Sequence, residues 1–288
     1  MPSLQVSAAR LELAGVVTQP DRPSGRGHRT SPSPVKSAAV PLGVPVLEPQ
    51  SLRCFAEELA APHYDLFIVA SYGKILPAAL LAIPKLGALN VHPSLLPKYR
   101  GATPLQGALL AGDSETGVTV IFMDAGMDTG DIVLQERTPI APGETYGELH
   151  DRLAKFSSHA LGHAIDFARS GHIPRAPQQG EPTVTRPLRR EDLEITWSWP
   201  AARIVNAVRA YSPVPAARAR LGGLPVKLLR AREGGRAIGS IAPGEMLGTH
   251  DGAVAVRCGD RTVEVLEVVA PNKPLQSGAS FAQSLKPR

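Results

Sequence analysis

Short β-branched apolar runs alternate with helical stretches over the first 175 residues of this chain, and that alternation admits few folds. Leu11–Thr18, Asp65–Ser71, Gly87–His92, Thr116–Asp124 and Asp131–Thr138 read as buried-type strands bounded by glycine, proline and polar turns. A short helical run is expected at Pro77–Ala82. Thr103 is a helix N-cap with Pro104 at the first helical position, and Gly112 closes the helix Pro104–Ala111. A longer helix opens at Thr145, with Glu148 three residues on as in a capping box. Its apolar residues Leu149, Leu153, Phe156, Ala160, Ala164 and Phe167 recur every three or four positions until Gly171. Strands and helices in this order predict a mostly parallel, Rossmann-like α/β domain over residues 1–175.

The rhythm then changes. Residues 176–200 are polar and proline-bearing and are expected to be a linker, with a helix restarting over Ile195–Tyr211. From Ala217 onward, short strands (LPVKLLRA, AVAVRC, TVEVLEVV) are separated by glycine turns. That pattern predicts a small OB-like β-barrel within residues 201–288.

Apolar residues at 43% and charged residues at 20% exclude wholesale disorder. No run of about eighteen apolar residues is present to span a bilayer, and the N-terminus has no secretory-signal pattern, so the expected location is the cytoplasm. Cys54 and Cys258 are too few for a disulfide framework or a four-cysteine zinc site. Formal charge divides unevenly: +3 over residues 1–36, −5 over 37–185 and +7 over 186–288. Basic ends on an acidic middle point to a polyanionic partner, with solvated arginine faces the plainer reading. The segment Gln19–Lys36 holds four prolines, two glycines and four basic residues besides His28, and is expected to be a surface loop with a function.

Asn90-Val91-His92 ends a buried strand, where ligands bind in open α/β sheets. Period-two geometry puts Asn90 and His92 on one side of that strand. An amide beside an imidazole can polarise a carbonyl and hold an oxyanion; a core histidine with satisfied hydrogen bonds is an equal reading. Asp124, Asp128 and Asp131 frame a glycine-rich turn, in no spacing of a known cation loop. One carboxylate is expected to orient His92 and favour its protonated form, with turn capping the better reading for Asp124 and Asp131. Ser94 lies in no nucleophile elbow, and His159 and His163, one helical turn apart, lack the zincin glutamate. Surface or packing histidines are the expected reading, and Trp197 and Trp199 are expected to be packing anchors.

The run NVHPSLLPKYRGATPLQGALLAGDSETGVTVIFMDAGMDTGDI closely resembles the signature of the folate-dependent formyltransferases. TQPDRPSGRG and PVKLLRA resemble the branch of that family acting on aminoacylated tRNA, and the resemblance covers nearly the whole chain. It implies transfer of a formyl group from 10-formyltetrahydrofolate to the amino group of methionine on initiator tRNA, without a metal. The rival readings are formylation of another amine, on an amino sugar or nucleotide, and an inactive tRNA-binding remnant. A hydrolase releasing formate from the folate is a third, against which the basic tail argues.

By the family's pattern, Asn90, His92 and Asp128 are the catalytic trio. Ser94, Leu95, Leu96 and Pro97 match the folate-contacting element, and Tyr72 and Gly73, within Ala70–Leu76, line the pterin side. Arg22, Arg26, Arg29 and Lys36 fall in the acceptor-stem loop, and Lys227, with Arg230 nearby, would contact tRNA phosphates. The family's opening strand, approximately I-x-F-x-G-T-P-x-F, is absent, and Met1-Pro2-Ser3-Leu4 begins within the following helix. The catalytic domain is therefore expected to be N-terminally incomplete, with a gap where a central strand would lie.

Overall fold

The structure is a computed structural model that describes residues 1–24, 29–59, 63–236 and 240–285. It resolves into two compact units, each discontinuous in sequence. The first comprises residues 1–102, 117–138 and 152–184, and the second residues 103–116, 139–151 and 185–288.

The chain opens with α1 (Pro2–Arg10), whose Arg10 reaches Asp166 at 2.5 Å. β1 (Val16–Val17) follows, then the antiparallel hairpin of β2 (Arg22–Ser24) and β3 (Arg29–Ser31). α2 (Pro34–Ala39) is capped by Ser33, whose hydroxyl accepts from the Lys36 backbone N–H at 3.1 Å. Next come β4 (Val46–Leu47), α3 (Leu52–Leu59), β5 (Phe67–Val69), α4 (Ala78–Leu81) and β6 (Ala88–His92). β7 (Arg100–Gly101) precedes α5 (Pro104–Ala111), which ends at a left-handed Gly112 as its sequence requires. β8 (Glu115–Phe122) and β9 (Ile132–Pro139) then lead to α6 (Tyr146–Arg169) and β10 (Val184–Thr185). At the start of α6, the Glu148 carboxylate accepts from the Thr145 backbone N–H at 2.9 Å and from its hydroxyl at 2.8 Å. The capping box forms as the sequence implies.

The sheet of the first unit is in two pieces. β1 pairs parallel with β4, and a separate sheet has the order β5-β6-β8-β9. β5 runs parallel to β6, with Phe67 opposite Ala88, but β8 runs antiparallel to β6, with Leu89 opposite Phe122. The parallel pairs β1–β4 and β5–β6 carry the expected Rossmann-like arrangement, to which β8 adds an antiparallel strand. The turn Ala125–Gly130 is too short for a crossover helix, so β9 returns beside β8. Among the described residues no strand pairing joins the β1–β4 pair to β5. Only Val16 and Val17 of the expected strand Leu11–Thr18 find ladder partners, all of them in β4. Phe55, Ala56, Leu59 and Leu80 are buried here, with Val17, Leu47 and Phe67 packed against them. Each such Leu or Phe contributes roughly 1.5–3 kcal/mol by leaving water.

In the second unit, α7 (Ala201–Tyr211) is followed by β11 (Ala217–Leu221), β12 (Leu224–Glu233), β13 (Met246–His250), β14 (Ala253–Arg257), β15 (Thr262–Val269), β16 (Leu275–Ser277) and α8 (Gly278–Ser284). The strands form one antiparallel sheet, β11-β12-β15-β14-β13, with β16 added to β15. This is the antiparallel sheet expected of the small OB-like domain, and among the described residues no pairing joins β11 to β13 to close it into a barrel. Alternation fixes which face is buried but not whether the last strand reaches the first. Asp260 accepts from the Ala201 N–H at 2.8 Å and so caps α7.

The expected linker is ordered along its length. In the first unit, Ala176 bridges Ile132 and the Thr183 hydroxyl accepts from the Tyr99 N–H at 2.8 Å. In the second, the Ile195 N–H donates to the Arg218 carbonyl at 2.7 Å, and the buried Trp197 donates through Nε1 to the Arg220 carbonyl at 2.8 Å. A few of its side chains, Thr183 among them, also satisfy backbone groups elsewhere in the same unit. Among the described residues, no helix is long and apolar enough to cross a membrane.

Candidate active site

β6 is buried along most of its length and ends by presenting Asn90 and His92 on one side, as period two requires. Asp128 comes to them from the turn between β8 and β9. Asn90 Nδ2 donates to Asp128 Oδ1 at 3.3 Å, and His92 Nδ1 lies 3.5 Å from Asp128 Oδ2. Asp128 adopts φ +55°, a left-handed conformation that a non-glycine residue keeps only when its surroundings hold it. Two contacts do so. Its Oδ2 accepts from the Gly101 N–H at 2.8 Å, and its carbonyl accepts from Gln178 Nε2 at 2.8 Å. Gln178 Nε2 also donates to the Gly130 carbonyl at 2.9 Å, while its Oε1 accepts from Arg100 Nη2 at 2.6 Å. Gln178 lies in the expected linker, 50 residues from Asp128, and no local pattern marks it.

The environment of His92 corrects one expectation. The ring is 4% exposed, and burial holds its imidazole below the usual range, against the opposing pull of Asp128 and of the Tyr99 carbonyl. The neutral ring, not the protonated one, is the favoured form. Nε2 lies 3.0 Å from the Tyr99 carbonyl. A carbonyl oxygen only accepts, so this contact assigns the proton of the neutral ring to Nε2 and leaves a lone pair on Nδ1, facing Asp128.

Asp124 caps its own turn, accepting from the Gly126 N–H at 3.0 Å and the Thr129 hydroxyl at 2.6 Å. A small cleft beside these groups is lined by Asn90, Ile121, Met123, Asp124, Gly126 and Asp128.

The segment after His92 is fixed from within. Ser94 is fully buried and donates through Oγ to the Lys98 carbonyl at 2.6 Å, so its hydroxyl shapes the loop. Thr119 Oγ1 donates to the Ser94 carbonyl at 2.7 Å and accepts from the Leu96 N–H at 3.2 Å. Gln135 Nε2 donates to the Leu96 carbonyl at 3.0 Å. Leu96 and Pro97 are buried and Leu95 is half-buried, packed at Gly117. Gly73 takes a left-handed φ of +75°, and the Tyr72 carbonyl accepts from Gln19 Nε2 at 2.9 Å. The Tyr72 hydroxyl is buried without a hydrogen-bond partner among the described residues.

The basic candidates separate. Arg22 and Arg29 lie on the paired strands of the β2–β3 hairpin, opposite Ser31 and Ser24. Arg26 and His28 fall outside the described residues. Lys36 is paired within the protein, with Nζ 2.9 Å from Asp21 and 2.7 Å from Glu48. In the second unit Lys227 is exposed on β12, whereas Arg230 is paired with Glu148 and with Glu267.

The chain is similar to known proteins over nearly its whole length. Residues 3–165 match the family "Formyl transferase", and residues 187–286 match "Formyl transferase, C-terminal domain". The methionyl-tRNA formyltransferase of Roseiflexus sp. (strain RS-1) is 42% identical over 98% of this chain and 87% of its own. That of Stutzerimonas stutzeri (strain A1501) is 42% identical over 92% of this chain and 85% of its own. Among solved structures, the N-formyltransferase from Helicobacter canadensis, in complex with folinic acid and dTDP-3-aminofucose, superposes with TM-score 0.67 at 17% identity, covering 91% of this chain and 93% of that one.

Proposed function

Because the chain belongs to the formyl transferase family, we propose that it transfers the formyl group of 10-formyltetrahydrofolate to the amino group of methionyl initiator tRNA, in the cytoplasm. The observation that carries the chemistry is the convergence of Asn90 and His92 on Asp128 at the end of β6. 10-Formyltetrahydrofolate supplies a formyl carbon on a nitrogen leaving group. Asn90, one of whose amide hydrogens is engaged by Asp128, has a second to donate to the formyl oxygen as charge builds there. His92 Nδ1 and Asp128 face each other as two acceptors, so the proton given up by the attacking amine is held between them and passes to the folate nitrogen as its bond to the formyl carbon breaks. No covalent nucleophile is needed.

The residues beside the site suit the donor. The unpartnered Tyr72 hydroxyl is a buried polar group that a bound polar ring edge would satisfy. The Ser94–Pro97 segment, its side-chain hydroxyl already used, would contact the folate through backbone and apolar surface. For the nucleic acid, Arg22, Arg26 and Arg29 would meet the acceptor stem, with Lys227 on phosphate. Lys36 would act by anchoring the base of the hairpin through Asp21 and Glu48.

The test is direct. Purified protein is given 10-formyltetrahydrofolate with methionyl initiator tRNA, or with an amino-sugar nucleotide, and formylated product is measured. Formyl-methionyl-tRNA alone is the expected product. Product from the sugar alone would move the assignment to another amine, and tRNA binding without turnover would make the chain a binding remnant.

A further inference from the structure

Away from the active site, Glu136 of β9 and His159 and His163 of α6 form a cluster that the formyl transfer does not use. Gln135 and Glu136 are neighbours on a strand and so point to opposite faces. Gln135 turns inward to Leu96 and Thr119, and Glu136 turns outward to α6. There His159 and His163, four residues apart, lie on one helical face. Their rings stand 4.5 Å apart, centroid to centroid, at 68°. His163 Nδ1 is 3.0 Å from Glu136 Oε1, and His159 Nδ1 is 3.6 Å from Oε2. The histidines are thus exposed surface groups, as expected, and both face the Glu136 carboxylate.

We infer that Glu136, His159 and His163 form a binding site for a borderline divalent transition ion such as Zn²⁺. One potential donor atom from each of the three residues lies within 4.8 Å of the others. Around a tetrahedral ion with bonds of about 2.0–2.1 Å, donor atoms stand about 3.3 Å apart, between the two distances the cluster already shows. Two imidazole nitrogens and one carboxylate oxygen favour zinc, cobalt, nickel or copper over calcium or magnesium, which take oxygen donors. Both histidines are exposed, so solvent completes the coordination. A bound ion ties α6 to β9, on the sheet face opposite Gln135. Its role is a staple on the scaffold, separate from formyl transfer.

The probe is ZnCl₂ titrated calorimetrically into untagged full-length protein, with Co²⁺ absorption reporting the geometry. Wild-type protein binds one ion at this site with the visible bands of a four-coordinate nitrogen–oxygen site. Its melting temperature rises by several degrees at ion concentrations about 100-fold above Kd. His159→Ala and His163→Ala each weaken binding at least about tenfold, Glu136→Gln weakens it, and the double histidine variant abolishes it. The side chains of His159 and His163 are 68% and 49% exposed, so their removal leaves the fold intact, as circular dichroism checks. His250→Ala, a surface histidine paired with Asp251, leaves binding unchanged. No binding by wild-type protein, or unaltered binding by the double variant, overturns the inference.

Discussion

His92 Nδ1 stands 3.5 Å from Asp128 Oδ2, with no N–H between them when the ring is neutral, because the Tyr99 carbonyl claims the proton on Nε2. Two acceptors in that position repel until a proton arrives, and in the proposed transfer the pair would receive the proton that the attacking amine must lose.

Removing any member of the trio should therefore damage chemistry more than folding. His92→Ala, Asp128→Asn and Asn90→Ala are each expected to slow the single-turnover formyl transfer by roughly 10²–10⁴. Rapid-quench assays with saturating tRNA measure the step, and thermal melts report the fold. Near-normal transfer by His92→Ala would remove the residue from the mechanism.

The pH dependence has a definite sign. Burial lowers the proton affinity of His92, so the unfolded chain binds more protons over the window between the two states' values. Stability from the neutral ring is full above the unfolded value of about 6.5 and is lost as pH falls through that window. Asp128 opposes the shift, so Asp128→Asn should lower the His92 titration further. NMR of the ring measures both; a wild-type titration above the ordinary histidine range contradicts the neutral form.

Gln178 is a positioning residue. Its amide holds the Asp128 and Gly130 carbonyls, and Asp128 is in a left-handed conformation that relaxes without that support. Gln178→Ala should cut kcat about 10- to 100-fold, as a misplaced carboxylate does, while KM for the folate changes little. A purely structural role would instead lower the melting temperature with kcat per folded molecule unchanged.

Lys36 and Lys227 should respond oppositely. Lys36→Ala leaves Asp21 and Glu48 without their shared cation, and the expected result is a lower melting temperature. Lys227 is exposed, so Lys227→Ala should leave the melt unchanged and reduce the salt slope of tRNA binding by about one. Filter binding across a salt series separates the two; an unchanged slope would take Lys227 off the phosphate.

Much of the scaffold was legible because its signals are local. The capping box Thr145–Glu148 and the helix bounded by Pro104 and Gly112 need only neighbours in sequence. The side shared by Asn90 and His92 follows from the two-residue period of a strand. Relationships across long separations were not legible. Asp128 meets Asn90 across 38 residues, and Gln178 reaches Asp128 across 50 from a stretch whose composition reads as a linker. The charge state of His92 reversed for a related reason. A sequence shows that a carboxylate exists, but only packing sets how much water the ring loses, and that loss outweighs the carboxylate. Likewise, helical spacing places His159 and His163 on one face, while only the packing of α6 on β9 brings Glu136 between them. The sequence by itself determined most of the elements and the family, and it put Asn90 and His92 on one side of a strand. Tertiary structure decided that Asp128 meets them, that Gln178 holds Asp128 and how deeply His92 is buried, since distance and burial are not written in local pattern.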